Sequence, residues 1–465
     1  MKHRIVSSLL TGWLLAHAAN LSADTVMVPG DAATIQAGID MASDGDVVLV
    51  ADGTYVENID FKGKAVTVSS VNGPGAAVID GSASAPTVRF NSGETAGSVI
   101  SGFTIRNGLG GGIAIGGASP IVRGNTITQN VSDFGGGGIA VSGGAPLIED
   151  NFITANQASN GNGMELSSTA AIVRRNTITL NTRGPGSGGV GGGGISVVGS
   201  GTAQILENVI AENSTDTDGG GISLFAAGTP TIRGNVIRDN SASSGGGISH
   251  ANFSDSLIAQ NLIVGNVADE GGGIEWLVPS GDRGPRLVNN TIAFNDAPTG
   301  SGLFADGFDA NAELYNNIIV ALDGQTAVEI GNFNDPNAPK FFANNLYSDG
   351  GDAYAGDGVD PTGTDGNISF DAMFVDVAGG DFRLLPLSAL IDAGTNAAPD
   401  LPAFDFEGQT RVLDGNGDLL AVVDIGAFEL VPEPSTAALF ALGCLGIAAA
   451  RVASRRRKRA ASVRR

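Results

Sequence analysis

The stretch Gly136-Gly137-Gly138-Ile139-Ala140-Val141, continued by Pro146-Leu147-Ile148 and by Asn151-Phe152-Ile153-Thr154-Ala155-Asn156, is one pass of a pattern that fills the middle of the chain. Its glycine run returns at 110–112, 192–194, 219–221, 245–247 and 271–273, each time followed by isoleucine. Its first asparagine returns at Asn125, Asn176, Asn208, Asn235, Asn261 and Asn290. Counting on to Asn317 and Asn345, the steps from Asn125 are 26, 25, 32, 27, 26, 29, 27 and 28 residues. Self-similarity at such a period marks a solenoid, a propeller or an array. Each unit holds three short apolar runs, too short for helices and suited to strands between turns. Glycine triplets and β-branched runs oppose helical repeats, and a propeller blade needs about 40 residues. The pattern predicts an all-β fold, a parallel β-helix of three-strand coils. The turn before each third strand centres on Asn151 or its equivalent, expected in the left-handed conformation. Stacked coils then align these amides into a ladder about 4.8 Å apart.

Over roughly residues 25–350 the coil pattern and asparagine ladder resemble the right-handed parallel β-helix of the pectin-lyase-like superfamily. The resemblance implies a scaffold and leaves the chemistry to a few cleft residues.

Residues 1–23 read as a secretory signal, with Lys2 and Arg4 before the apolar run Ile5–Ala16 and a small-residue site at Leu21-Ser22-Ala23 or Ala16-His17-Ala18. Export through the Sec pathway follows. The single cysteine, Cys444, allows no intrachain disulfide. In residues 24–97, Asp31 is expected to N-cap a short helix bearing Ile35, Ile39 and Ala42, which covers the open end of the first coils. Residues 98–347 are the regular coils, and 348–430 form an acidic closing segment. There, Leu384–Gly394, Asp405–Arg411 and Asp424–Glu429 resemble the closing segment called choice-of-anchor Q, with Ala389 where that segment has proline. In residues 431–465, Pro432-Glu433-Pro434, the uncharged stretch Ala437–Ala450 and a basic cluster from Arg451 to Arg459 resemble the PEP-CTERM sorting signal. That resemblance implies an exosortase-type protease as partner and delivery to the envelope or matrix alongside exopolysaccharide. The stretch itself is short against the ~20 residues of a spanning helix, so a transient C-terminal transmembrane helix in the inner membrane is expected.

Without both ends the chain keeps 15 basic and 47 acidic residues, so the formal charge moves from -23 to about -32. Such a surface repels nucleic acid, whereas Ca2+ could bridge it to acidic glycans. On the first-strand face, alternation points Ala114, Ala140, Glu165, Ser196, Ser223, Ser249, Glu275 and Phe304 outward. Glu165 and Glu275 stand four coils apart, roughly 19 Å, beyond the reach of paired glycosidase acids. The loops offer a closer set: Asp216 and Asp218 before one glycine triplet, and Asp269 and Glu270 before another two coils on. Asp218 and Glu270 are equivalent, with Ser244 between them, and Glu275 shares a coil with Glu270. Asp218, Glu270 and Glu275 are the catalytic candidates; Asp216, Asp269, Glu165 and Phe304 are the substrate-binding ones. The alternative is a row of solvated turn carboxylates. His250 and Trp276 fall on the inward phase and read as packing. Asp414-Gly415-Asn416-Gly417-Asp418 opens like a calcium loop, but Ile425 holds the twelfth position and Asp424 comes one place early; a simple Asp-Gly turn fits equally.

The reading expected from sequence is an exported envelope or matrix β-helix protein that associates with exopolysaccharide without catalysis. Two alternatives stand beside it: a polysaccharide lyase or glycoside hydrolase acting in the first-strand cleft, and an adhesin-like spacer.

Overall fold

The computed structural model describes residues 23–184, 189, 191–252, 254–278, 284–307, 311–331 and 339–431. Three apolar runs per coil become three strands, and each coil lies on the last in register. Among the described residues this gives parallel sheets of 12, 13 and 12 strands. The first sheet holds the strands after the glycine triplets, such as Ile139–Ser142; the second holds Leu147–Glu149; the third holds Phe152–Thr154. The inward residues Ile113, Ile139, Met164, Ile195, Ile222, Ile248 and Ile274 form one vertical stack in the first sheet, and all are fully buried. The expected parallel β-helix is the fold observed.

Two asparagine ladders hold the corners. The first runs Asn125, Asn151, Asn176, Asn208, Asn235, Asn261, Asn290, Asn317, Asn344 and Asn367. The second runs from Asn130 to Asn295, after the third strand. In each, the Oδ1 of one asparagine accepts the backbone N–H and Nδ2 of its equivalent one coil earlier. Asn208 Oδ1, for instance, takes Asn176 N at 2.9 Å and Nδ2 at 3.0 Å, while Asn208 Nδ2 donates to Val173 O at 3.0 Å. Two sequence expectations are corrected here. The ladder passes through Asn344, because Asn345 has entered the third strand. The left-handed residue is the one before each asparagine, namely Asp150, Arg175, Glu207, Gln260, Asn289, Asn316 and Ala343, which frees the amide to turn inward.

The glycine triplets answer to the same stacking. Gly219, at φ +70°, lies so close over the next strand that a Cβ would stand 2.7 Å from Ser223 Cα. At Gly221 a Cβ would come 2.5 Å from the carbonyl oxygen of Gly247, one coil on. Glycine at Gly221 is a requirement of coil spacing, whereas at Gly219 it is required by the left-handed turn that folds back on its own coil.

The helix Ile35–Met41 covers the first coils with Ile35 and Ile39 buried. Its N-cap is Thr34, whose Oγ1 accepts from Ala37 N at 3.1 Å; Asp31 instead accepts from Met27 N. The Glu57 carboxylate takes the N–H groups of Ile35 and Gln36, and Lys64 Nζ donates to the carbonyls of Ile39, Asp40 and Ala42. Both ends of a helix too short to stand alone are thus satisfied from the solenoid.

Residues after Asp371 leave the solenoid and return along its flank. Phe382, Leu384, Leu390, Ile425 and Ala427 pack on Leu262, Ala293, Ile318 and Val320. Asn316 exchanges hydrogen bonds with Thr395 through both its amide atoms, and Asn289 Nδ2 donates to the carbonyls of Asp424 and Gly426. Arg411 and Glu429 pair at 3.5 Å with 1% side-chain exposure each. The secretory signal at 1–23 and the sorting tail, with Pro432, Glu433 and Pro434, fall outside the described residues but for residue 23 and Val431. The expected transmembrane helix over Ala437–Ala450 also falls there, and that expectation is corrected. The helix of the described residues has seven residues, and no described helix is long and apolar enough to cross a membrane. Among the described residues nothing supports C-terminal membrane anchoring or transient insertion.

Asn208→Ala would orphan the Asn176 donors and Val173 O, at about 1–3 kcal/mol for a buried group left unsatisfied. The expected loss is about 2–3 kcal/mol, and Gly221→Ala, which meets backbone, should cost at least as much. Gly75→Ala, with nothing within 4 Å of the new Cβ, should stay within about 0.5 kcal/mol of the parent. Thermal and urea unfolding of the three variants checks this ranking.

Candidate functional site

Register converts the outward series into a single row across the first sheet. Arg89, Ala114, Ala140, Glu165, Ser196, Ser223, Ser249, Glu275, Phe304 and Glu329 are consecutive partners. Asp218, Ser244 and Glu270 are likewise stacked neighbours, by direct bridges in the loop before the strands. Ser244 thus lies between the two loop carboxyls, as the sequence implied.

Glu275 is the most perturbed group of this face. Its stem lies beneath Gly271, whose absent Cβ would sit 2.6 Å from Glu275 Cβ. Ser249 Oγ donates to Glu275 Oε2 at 2.7 Å, and the residue is 8% exposed. Burial, with the charges of Asp218, Glu270 and Asp306 adding to it, pushes its carboxyl up to about 8. Burial also raises Asp218, while Glu270 stands exposed at the loop. A neutral carboxylic acid therefore sits beside carboxyl groups of different exposure, an arrangement able to give a proton at one position and stabilise charge at another.

The other candidates separate from this group. Asp216 is exposed and ion-paired to Arg183, which lowers its pKa. Asp269 is exposed next to Glu270, and Phe304 follows Glu275 in the row. Glu165 lies four coils away, its carboxyl raised by burial and tucked under Gly135, where a Cβ would stand 1.7 Å from Oε2. It closes one end of a trench of about 270 Å3 floored by Ala114 and Ala140, with Arg89 and Asn91 toward the other end. Arg89 escapes the repeat pattern because it precedes the first glycine triplet; the alternation Val88-Arg89-Phe90 is the signal that marks it outward. Asp306 lies in register with Leu277 and not with Glu275, and no spacing signal announces it.

His250 and Trp276 are fully buried in the inward row. Burial lowers the His250 imidazole to about 4, so it is neutral core and no base at the surface. In the calcium-like loop, Asp414 accepts from Gly417 N and Leu419 N, Asn416 from Asp418 N, and Asp418 from Leu420 N. Asp424 is turned inward to Asp392 N and Leu430 N, and burial raises it to about 7. Among the described residues no group of three His, Cys, Asp or Glu side chains is placed to hold a metal ion.

Residues 47–210, 95–319 and 189–371 match the family described as right handed beta helix region, and residues 430–458 match the PEP-CTERM protein-sorting motif. Neither family reaches residues 372–429, so the choice-of-anchor Q likeness has no support from them. No curated protein matches the chain. Among solved structures, the PL6 family alginate lyase AlyGC is similar at 17% identity and TM-score 0.51, over 89% of this chain and 60% of its own. The pectate lyase Pel9A is similar at 16% identity and TM-score 0.48, over 89% and 98%. XylC, in complex with xylose, is similar at 10% identity and TM-score 0.48, over 86% and 95%. At 17% identity the likeness to AlyGC is one of fold alone.

Glu275 and Asp424 both hold protons in the folded state that an unfolded carboxyl has already lost. The stability they contribute is whole below pH about 4 and is lost as pH rises through about 7 for Asp424 and about 8 for Glu275. Thermal midpoints at pH 5, 6.5 and 8.5 should fall more steeply for the parent than for Glu275→Gln.

Proposed function

We propose that this chain, which belongs to the right-handed β-helix family over residues 47–371 and carries a PEP-CTERM sorting motif at 430–458, is an exported protein that cleaves an extracellular polysaccharide on the outer face of its first sheet. The observation that carries this reading is Glu275: a carboxyl kept protonated to about pH 8, next to Asp218 and Glu270. Elimination on a uronate needs a cation to neutralise the sugar carboxylate, and among the described residues none is among the charges that act on Glu275. Hydrolysis needs one protonated and one ionised carboxyl. The cluster favours hydrolysis, with Glu275 as proton donor and Asp218 or Glu270 as the carboxylate partner, and the Arg89–Glu165 trench as flanking subsites. The sorting motif supports export to the envelope or matrix, with an exosortase-type protease as partner.

A second reading, polysaccharide binding without turnover, is favoured by the 8% exposure of Glu275 and its bond to Ser249. Purified protein incubated with neutral and acidic polysaccharides, with Ca2+ and with chelator, separates the two. New reducing ends are expected, falling at least about 100-fold in Glu275→Gln with the thermal midpoint retained, and declining in the parent above pH 8. No product from any polymer, with retention of polymer in a pull-down, would leave the binding reading in its place.

A further inference from the structure

At the corner between the second and third sheets, residues 402–408 of the closing segment overhang the solenoid and leave a cavity of about 550 Å3. The first sheet does not border this corner. Its floor is the row of left-handed turn positions, Glu207, Gly234 and Gln260, with φ of 56°, 68° and 58°, and Arg233 rises beside them from its strand. Gly234 keeps the floor open: a Cβ there would meet only Glu207, at 3.6 Å or more.

The roof is Phe404, 58% exposed, and Phe406, whose ring packs on Phe428 at 5.3 Å. Between them Asp405 is buried and fully used, accepting from Glu407 N, Gln409 N and Glu429 N. Its role is to hold the loop, so Phe404 stands over the cavity on a braced backbone rather than a loose one.

We infer that this cavity is a second carbohydrate site, for a short uncharged oligosaccharide, and that it works independently of the first sheet. The volume falls in the range of small-ligand pockets. An exposed aromatic face suits the C–H face of a pyranose ring. The carboxylate, guanidinium and amide of Glu207, Arg233 and Gln260 offer acceptors and donors for its hydroxyl rim. Arg233 stands against Glu207 and the loop-bound Asp405, so the lining carries no net positive charge to favour an acidic sugar. Because the solenoid supplies the floor and the closing segment the roof, an occupied cavity ties the two together, and a site this far from Glu275 adds valence to polymer capture.

Calorimetric titration of the full chain with cellotetraose, xylotetraose, mannotetraose and chitotetraose tests this. At least one should bind, with affinity reduced at least tenfold in Phe404→Ala and in Arg233→Ala, both surface positions, and unchanged in Gly75→Ala, which touches neither site. No binding by any of the four, parent-like binding by both cavity variants, or an equal loss in Gly75→Ala would overturn it. Because this reads binding at Phe404 and not turnover at Glu275, either site can fail alone.

Discussion

Every coil must sit one strand spacing, about 4.8 Å, above the last, and each buried polar group must find its partner across that gap. The two asparagine ladders meet this condition by repetition: each amide is both donor and acceptor to its own kind. The glycine triplets meet it by removal, since the carbonyl of the next coil already occupies the place of a side chain. The cap, the core stack and the return of the closing segment all depend on coils held at that spacing.

The same constraint builds the candidate site. A polypeptide of three sheets has few ways to bury a carboxyl on an outward face, yet Gly271 folds over Glu275 and Ser249 lies in register to bond it. The rule that forces glycine into the turn thus also takes water away from the acid. Gly136 lies over Ala140 in the same way, but the small alanines at 114 and 140 leave the face open as the trench beside Glu165. Buried acid and open groove are therefore two outcomes of one row of residues.

Repeat spacing made the solenoid, the inward stack and the Asp218–Ser244–Glu270 alignment legible, because register in a parallel β-helix is counting. It could not show which of two adjacent residues takes the left-handed turn, so Asp150 and not Asn151 carries the positive φ. The choice between Asn344 and Asn345 turned on hydrogen bonds rather than spacing. The flank packing of residues 372–430 was hidden for a different reason: nothing periodic links Gly426 to Asn316 or Arg411 to Glu429. Arg89 and Asp306 went unmarked because one precedes the repeat and the other acts through charge from a neighbouring register position.

The claim on which the functional account rests is that Glu275 is a neutral acid among its neighbours at physiological pH. Infrared difference titration of the parent against Glu275→Gln isolates that carboxyl. A protonated carbonyl band that disappears with a midpoint near 8 is the predicted result. A band already lost near the ordinary glutamate value of about 4.3 would contradict it.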